Sequence, residues 1–407
     1  MESKEPPLDS TSKTNRKSRS PNQIAIIAFV ITIVLVSCTS NNQSKFLLKF
    51  LDYIPDNEIY RQWITYGDLS AWFDAWEIDR PKDGDILKIE SSDFSGLNIG
   101  TVLDRQTQIP QSFNVEHSIM EDQIGLLGFN FLTMDRYVEA GHPPALLTIA
   151  DFSFDEAQIG DALTKIGYQS HKSKNGILYS IRNDYEADYQ SPIITIQSPN
   201  LNRILLTNGR MIMGAATEVV EKSLSAHANE IPSLAENDTY IAMSQAIGGD
   251  ILSDVGKMVG IILIDGPTLN YTINQRLKDR PSGPSDNYFQ QSLPDFDLAG
   301  FATFQNEKTS FLTLILVFPK DTDALSSADI LAERLQTYTT LDDRVPFKEW
   351  WTVEKATVSS INGLPVAIVV MKAEAREFQG PLGNDLSVLT WIPLIFNQDI
   401  LFLKTGP

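Results

Sequence analysis

Four carboxylates between residues 79 and 90 come nearest in this sequence to a metal site. Asp79, Asp83, Asp85 and Glu90 surround Gly84 in the spacing of a twelve-residue calcium loop. In such a loop the glycine permits a sharp turn and the final glutamate binds Ca²⁺ bidentately. A proline occupies the third ligand position, and the alternative interpretation is a solvated turn. Calcium is therefore the one cofactor that the sequence suggests.

No other residue pattern matches a known catalytic or metal-binding motif. The four histidines are far apart in the sequence: His117, His142, His171 and His227. The chain contains no His-Glu-x-x-His, no Gly-x-Ser-x-Gly and no phosphate-binding Gly-x-x-x-x-Gly-Lys sequence, the motifs of zinc proteases, serine hydrolases and P-loop proteins. Catalysis by a serine together with a lysine or an aspartate, as in some hydrolases, stays an open alternative. We predict that the protein is not an enzyme.

The only cysteine, Cys38, follows an apolar segment. A polar leader with several lysines and arginines precedes the run Ile24–Val36, and Leu35-Val36-Ser37 stands before the cysteine. This order is typical of a secretory signal peptide, and its last four residues resemble the lipobox of bacterial lipoproteins. The resemblance implies cleavage before Cys38, diacylation of its sulfur, and a protein anchored by lipid to the extracytoplasmic face of the cell membrane.

Two other interpretations of this segment stay open. The run Ile24–Val36 is shorter than the roughly 20 apolar residues that span a bilayer, although residues 21–39 could serve as an uncleaved anchor. A free cysteine can also pack as a small hydrophobic residue, but the polar residues from Thr39 to Ser44 argue against burial. We expect lipidation.

Charge and composition exclude one class of partner and allow a substantial core. The 407 residues carry a formal net charge of −19, and 42% are hydrophobic. A negative field repels nucleic acid, which needs a cationic surface. We therefore expect no nucleic-acid partner, and stability must come from packing because one cysteine forms no intramolecular disulfide.

Helical and strand patterns alternate along the chain, and three Asn-Gly pairs predict hairpin turns. The pairs are Asn175-Gly176, Asn208-Gly209 and Asn362-Gly363, each beside apolar stretches. Asn and Gly tolerate the positive φ angles of two-residue turns. Asp238 to Ile247 has a helical apolar stripe, and Ser153-x-x-Glu156 predicts a capping box at the start of another helix. These signals indicate an α+β protein with largely antiparallel sheets.

The order strand, acidic cap, helix, Asn-Gly turn and strand occurs twice. We predict two related halves after a helical N-terminal segment, although matching order also arises without duplication. The predicted divisions are a signal peptide (1–37), a tether (38–45), a mainly helical segment (46–120), a first α+β half (121–277), a linker (278–297) and a second α+β half (298–407). In the helical segment, Trp72 and its aromatic neighbours predict core packing.

An aromatic cluster in the second half is a candidate contact surface. Phe347, Trp350 and Trp351 lie close together, and exposed aromatic clusters favour contact sites. The alternative is that they cover the core, since large aromatic residues are usually buried.

Residues 128–181 resemble uncharacterised lipid-anchored or secreted bacterial proteins, with Gly141-His-Pro-Pro144 before a strand and Ile166-Gly-Tyr168 ending a helix. The resemblance implies a cell-surface setting and supplies no site residues. We expect a membrane-anchored extracytoplasmic binding or interaction lipoprotein with an unknown protein or small-molecule ligand. A solute-binding lipoprotein of an importer and a surface hydrolase are the alternatives.

Overall fold

The computed structural model describes residues 44–75, 77, 79–80, 110, 112, 123–129, 133–151, 153–193, 196–207, 209–279, 291–306, 309–341, 346–374 and 391–406. These residues form one twelve-stranded sheet flanked by ten helices. The strands are β1 (Ile64–Asp68), β2 (Arg136–Ala140), β3 (Leu147–Asp151), β4 (Gln169–Ser173), β5 (Gly176–Ser180), β6 (Arg203–Thr207), β7 (Arg210–Gly214), β8 (Lys257–Asp265), β9 (Leu298–Asn306), β10 (Thr309–Val317), β11 (Thr352–Ile361) and β12 (Leu364–Glu374). The helices are α1 (44–51), α2 (Glu58–Arg61), α3 (Leu69–Ala75), α4 (Gln123–Leu127), α5 (Glu156–Lys165), α6 (Thr217–His227), α7 (Asp238–Ile247), α8 (Gly266–Asp279), α9 (Ser327–Thr337) and α10 (Trp391–Phe396).

Every neighbouring pair of strands in the sheet is antiparallel. The order is β11-β12-β10-β9-β8-β1-β2-β3-β7-β6-β5-β4. The predicted α+β class with antiparallel hairpins is therefore confirmed. Strand β1 lies at the centre, where Ile64 is opposite Ala140 of β2 and Leu263 of β8. Strand β1 lies inside the segment 46–120, which the sequence predicts to be mainly helical.

Hairpins occur at or within one residue of all three predicted positions. Residues 362 and 363 connect β11 to β12 with positive φ angles of 51° and 76°, as the sequence predicts. Gly209 has a φ of 76° and lies beside the Thr207–Arg210 pair of β6 and β7, while residue 208 lies outside the described ranges. At the third turn, Gly176 pairs with Ser173 as the first residue of β5, so the turn falls one residue earlier than predicted.

Helix α7 has the predicted bounds, whereas the cap of α5 differs from the prediction. The side chain of Asp155, not Ser153, accepts hydrogen bonds from the backbone N–H groups of Ala157 and Gln158. Aspartate is among the best N-cap residues, because its carboxylate satisfies free amides and interacts favourably with the helix dipole. The capping-box prediction is therefore wrong, although the helix itself is present.

One face of the sheet carries a continuous apolar core from β6 to β12, covered by α1, α6 and α7; we call it the common core. The opposite face carries two cores. The Trp72 core lies under α3, α4 and α5, and the Trp391 core lies under α8, α9, α10 and the segment 391–406. This segment is called the C-terminal segment below.

The sheet is continuous across the predicted linker at 278–297. Strand β8 pairs with β9 from Lys257–Gln305 to Asp265–Leu298, so residues on either side of the linker share one sheet. Leu293 and Phe296 are buried in the Trp391 core. At least this end of the predicted linker is core structure.

Candidate functional site

Most of the predicted calcium and lipid sites lie outside the described residues. These are Cys38, Asp83, Asp85 and Glu90. Asp79 is described. Within the described ranges, no group of three or more His, Cys, Asp or Glu side chains could hold a metal ion.

The predicted aromatic contact cluster belongs mainly to the Trp391 core. Phe347 is 1% exposed and Trp351 is 4% exposed, and Trp350 is partly buried against the same core. Burial of the first two rings supports the core interpretation and corrects the expectation that they form an exposed surface. The candidate site must be sought elsewhere.

A row of polar side chains crosses the centre of the sheet between the Trp72 and Trp391 cores. Thr65, Glu139 and Thr148 are directly opposite one another in β1, β2 and β3; we call them the polar row. Glu139 is only 2% exposed. Its carboxylate accepts hydrogen bonds from the Thr148 hydroxyl at 2.7 Å and the Ser112 N–H at 2.9 Å. These bonds offset part of the cost of burying the carboxyl group.

Trp63, the residue before β1, connects the polar row to a concave surface. Its indole N–H donates to the Thr65 hydroxyl at 3.0 Å, which fixes the ring. The Trp63 ring centroid lies 5.9 Å from that of His142 and 5.5 Å from that of Phe396, with interplanar angles of 47° and 41°. The three rings form an angled wall.

This wall borders a cavity of about 260 Å³, which we call the Trp63 pocket. Its lining includes Trp63, His142, Leu269, Thr272, Phe396 and Gln398. The first two come from the start of β1 and the end of β2, the next two from α8, and the last two from the C-terminal segment. The ring of Phe396 is 55% exposed, so the pocket is open to solvent.

The described lining of the Trp63 pocket carries no carboxylate, ammonium or guanidinium group. His142 is its one titratable side chain, and partial burial lowers the pKa of its imidazole below the usual value. At neutral pH that ring is uncharged, because its ordinary pKa is already near 6.5. A neutral imidazole offers one N–H donor and one acceptor nitrogen.

A larger, more polar cleft of about 770 Å³ lies beside α6 and the strands β5 and β6, near the β4 edge of the sheet. His227 stacks on Tyr53, with ring centroids 3.9 Å apart, and its Nδ1 lies 2.6 Å from Asp52. These contacts join the segment after α1 to the end of α6. Glu221 and Glu230 contribute negative charge to the lining.

The His227 pair does not have the arrangement of a nucleophile and its base. Ser225, the nearby lining hydroxyl, donates to the Glu230 carboxylate at 2.9 Å. Nucleophilic catalysis needs the hydroxyl to donate to the base itself. The pair instead links two helices on the common-core face.

The sequence did not identify the Trp63 pocket. Trp63, His142 and Phe396 are distant along the chain and come together only through strand pairing and the docking of the C-terminal segment. Gly141-His142-Pro143-Pro144 was the available signal, because residues between a glycine and prolines lie in turns, where binding residues concentrate.

No protein-family description matches the chain, and comparison with curated proteins finds no similar sequence. Among solved structures, crystal form I of TP0453 is similar with a TM-score of 0.37 and 9% identity over 80% of this chain and 92% of that one. Crystal form III of TP0453 gives a TM-score of 0.37 and 10% identity over 83% and 98% of the two chains. None of the helices in the described ranges is long and apolar enough to cross a membrane.

Proposed function

We propose that the protein is a membrane-anchored, extracytoplasmic binding module whose ligand site is the Trp63 pocket. The pocket carries this proposal. Small-ligand sites are concave, mostly apolar and lined by aromatic rings with a few polar groups that fix orientation. The pocket combines three rings, one of them a neutral histidine, with the polar groups of Thr272 and Gln398.

A second part of the proposal is that the two halves of the chain are related to each other. The pocket lies where these halves meet. From β1 onward the order is strand, two helices, two strands, helix and hairpin, and from β8 onward it is the same with one helix in place of the two. Strands β1 and β8 are antiparallel neighbours at the sheet centre. We propose that the halves are related and begin at these strands. The pocket then joins both, with Trp63 from the first half and Leu269 from the second, and ligand sites favour such junctions.

Binding is favoured over the two alternatives by the same architecture. An importer's solute-binding protein closes two domains around its ligand, whereas β8 and β9 pair continuously across the predicted linker. Against a hydrolase, the described histidine that pairs with a carboxylate is His227, and its neighbouring serine donates to Glu230 instead. A pocket that recognises one small ligand needs neither domain closure nor a nucleophile.

The proposed anchor makes a direct prediction about Cys38. The Cys38→Ala variant of the full chain is expected to leave the membrane fraction or keep its leader, because a diacylated terminus is a stable two-chain attachment. Mass spectrometry of the extracted protein measures the terminus, and Ser40→Ala in the same polar stretch is the matched control. An intact leader with an unmodified thiol in the native protein would contradict the anchor.

Ligand binding makes a second prediction, measured by the melting temperature of the full chain in detergent. A panel of small aromatic, aliphatic, sugar and charged compounds is screened, and at least one class is expected to raise the melting temperature, because a ligand that binds the folded state stabilises it. The Phe396→Ala variant should lose most of that shift, since the exposed ring contributes contact area.

The control for this screen is Tyr271→Ala. Tyr271 is 66% exposed on α8, the helix that also supplies Thr272, but it does not line the pocket. The control should keep the full shift. If no class of compound gives a shift that depends on Phe396, the proposed function is wrong.

A further inference from the structure

We infer that the Trp63 pocket selects an uncharged, planar ring that carries at least one hydrogen-bonding group on its edge, such as a phenol or an indole. This inference rests on the proposed function and names its ligand class. Five features of the pocket support it: the arrangement of its rings, the fixed indole, the charge of its lining, its polar groups and its size.

The rings leave aromatic surface available for stacking. Both His142 and Phe396 are tilted against Trp63 by more than 40°, so the three rings do not stack on one another. Aromatic pairs prefer offset-stacked or edge-to-face contacts at centroid distances of 4.5 to 7 Å. A planar ring cannot lie between Trp63 and Phe396, whose centroids are only 5.5 Å apart. In the cavity beside them it can make either kind of contact with the exposed ring of Phe396, whereas an aliphatic chain can make neither.

The indole of Trp63 contributes its ring surface and not its N–H to such a contact. That N–H already donates to Thr65 within the fold. The neighbouring strand residue Ile264, together with Leu269, closes the inner side with aliphatic surface. The inner part of the pocket therefore favours an apolar ring face.

The lining also selects against charge. No charged side chain of the described residues lines the pocket, and the pKa of His142 is lowered by burial. A charged ligand would lose water without gaining an opposite charge, and desolvating an unpaired ion is strongly unfavourable.

Polar groups at the outer part of the pocket can form hydrogen bonds with one edge of the ligand's ring. The Thr272 hydroxyl donates to the Thr268 carbonyl at 2.9 Å, so its oxygen is oriented as an acceptor. His142 and the exposed amide of Gln398 offer donors and acceptors. These polar groups can make one or two hydrogen bonds with a ligand. A sugar, with its many hydroxyls, requires more.

The size of the cavity agrees with a one- or two-ring compound. A buried apolar cavity of about 150 Å³ in another protein holds benzene, and the Trp63 pocket encloses about 260 Å³. Only the part of a ligand that enters the pocket is limited to this volume, because the pocket is open to solvent at Phe396.

Three probes that share one ring test the inference: indole, indole-3-acetate and tryptamine. Binding to the full chain in detergent is measured by isothermal titration calorimetry. Indole is expected to bind, and Phe396→Ala should weaken it by about fivefold or more, the effect of losing an aromatic contact of about 1 kcal/mol. The anionic and cationic analogues should bind about tenfold more weakly than indole or not at all.

The control Tyr271→Ala should bind indole as the native protein does. His142→Gln keeps a donor and an acceptor and should retain indole binding, whereas His142→Leu should weaken it. Tighter binding of either charged analogue, of cyclohexane carboxamide or of glucose, with dependence on Phe396, would overturn the ring class while the proposed function stands. If no probe binds in a way that depends on Phe396, the ring class is wrong, and the melting-temperature panel decides whether the proposed function is wrong as well.

Discussion

Replacing Arg334 with methionine is expected to lower the free energy of unfolding by about 3 kcal/mol or more, because several buried carbonyls lose their donors at once. Arg334 is buried on α9. Its guanidinium donates to the carbonyls of Phe402 at 2.9 Å and Lys404 at 2.8 Å, and to the carbonyl of Gln291. No methionine rotamer can replace these bonds.

The charge of Arg334 strengthens these hydrogen bonds. Burial lowers the pKa of Arg334 to about 10, so the group is still a cation at neutral pH. Hydrogen bonds from a cation are roughly twice as strong as neutral ones. The bonds attach the C-terminal segment to α9 and to the residues before β9.

Asp399 makes a parallel attachment on the same segment. Its carboxylate accepts from the hydroxyl of Tyr338, at the end of α9, and from the backbone N–H of Leu341 at 2.7 Å. Phe396 and Gln398 of the Trp63 pocket lie directly before this anchor. The Arg334 variant should therefore weaken the pocket as well as the fold.

Urea denaturation of the full chain measures the stability loss, and Gln336→Met is the matched control. Gln336 is exposed on the same helix, so its replacement should change the unfolding free energy by about 0.5 kcal/mol or less. If Arg334→Met and Gln336→Met have the same midpoint, the C-terminal segment does not depend on this side chain.

Local signals in the sequence predicted the elements that local interactions determine. The hairpin at Asn362-Gly363 follows from the backbone freedom of two residues, and α7 follows from its apolar stripe and Asn237, whose side chain accepts from the Thr239 N–H. Both depend on residues close in sequence. The fold class is a consequence of such signals repeated along the chain.

The features that the sequence did not predict depend on pairing between strands that are distant along the chain. Strand β1 has only five residues, all buried, and lies between two helices, so neither alternation nor flanking turns distinguishes it. Its partners β2 and β8 follow it by about 70 and 200 residues. The Trp63 pocket depends on the same pairing and on the docked C-terminal segment, which is why its residues were not predicted as a group.

Gly176 shows how a hairpin prediction can hold although its turn lies one residue earlier and its reason is incomplete. The sequence argument assigns this glycine to positive φ in a tight turn, and its φ is indeed 149°. The stronger constraint is a close approach of strands, since a Cβ at Gly176 would lie 2.0 Å from the carbonyl oxygen of Leu206 in β6. No real Cβ contact is that short, so any side chain must displace β5 from β6.

Gly176→Ala is therefore expected to destabilise the protein by about 3 kcal/mol or more, or to detach the β4–β5 hairpin from the sheet, since strain and lost strand pairing add together. The hairpin is at the sheet edge, where Ile177–Leu206 and Leu178–Leu205 are among its pairs with β6. Amide hydrogen exchange of residues 169–180 detects detachment, because local opening exposes their N–H groups. Urea denaturation detects the global loss.

The control for this experiment is Gly209→Ala in the next hairpin. Gly209 also has positive φ, 76°, but a Cβ there meets no atom within 4 Å. That variant should lose only the left-handed backbone preference of glycine, about 1 kcal/mol, and should keep β4 and β5 protected from exchange. Equal losses of unfolding free energy in the two variants would show that the positive φ angle alone determines the destabilisation. In that case β5 and β6 would be further apart than in the structure.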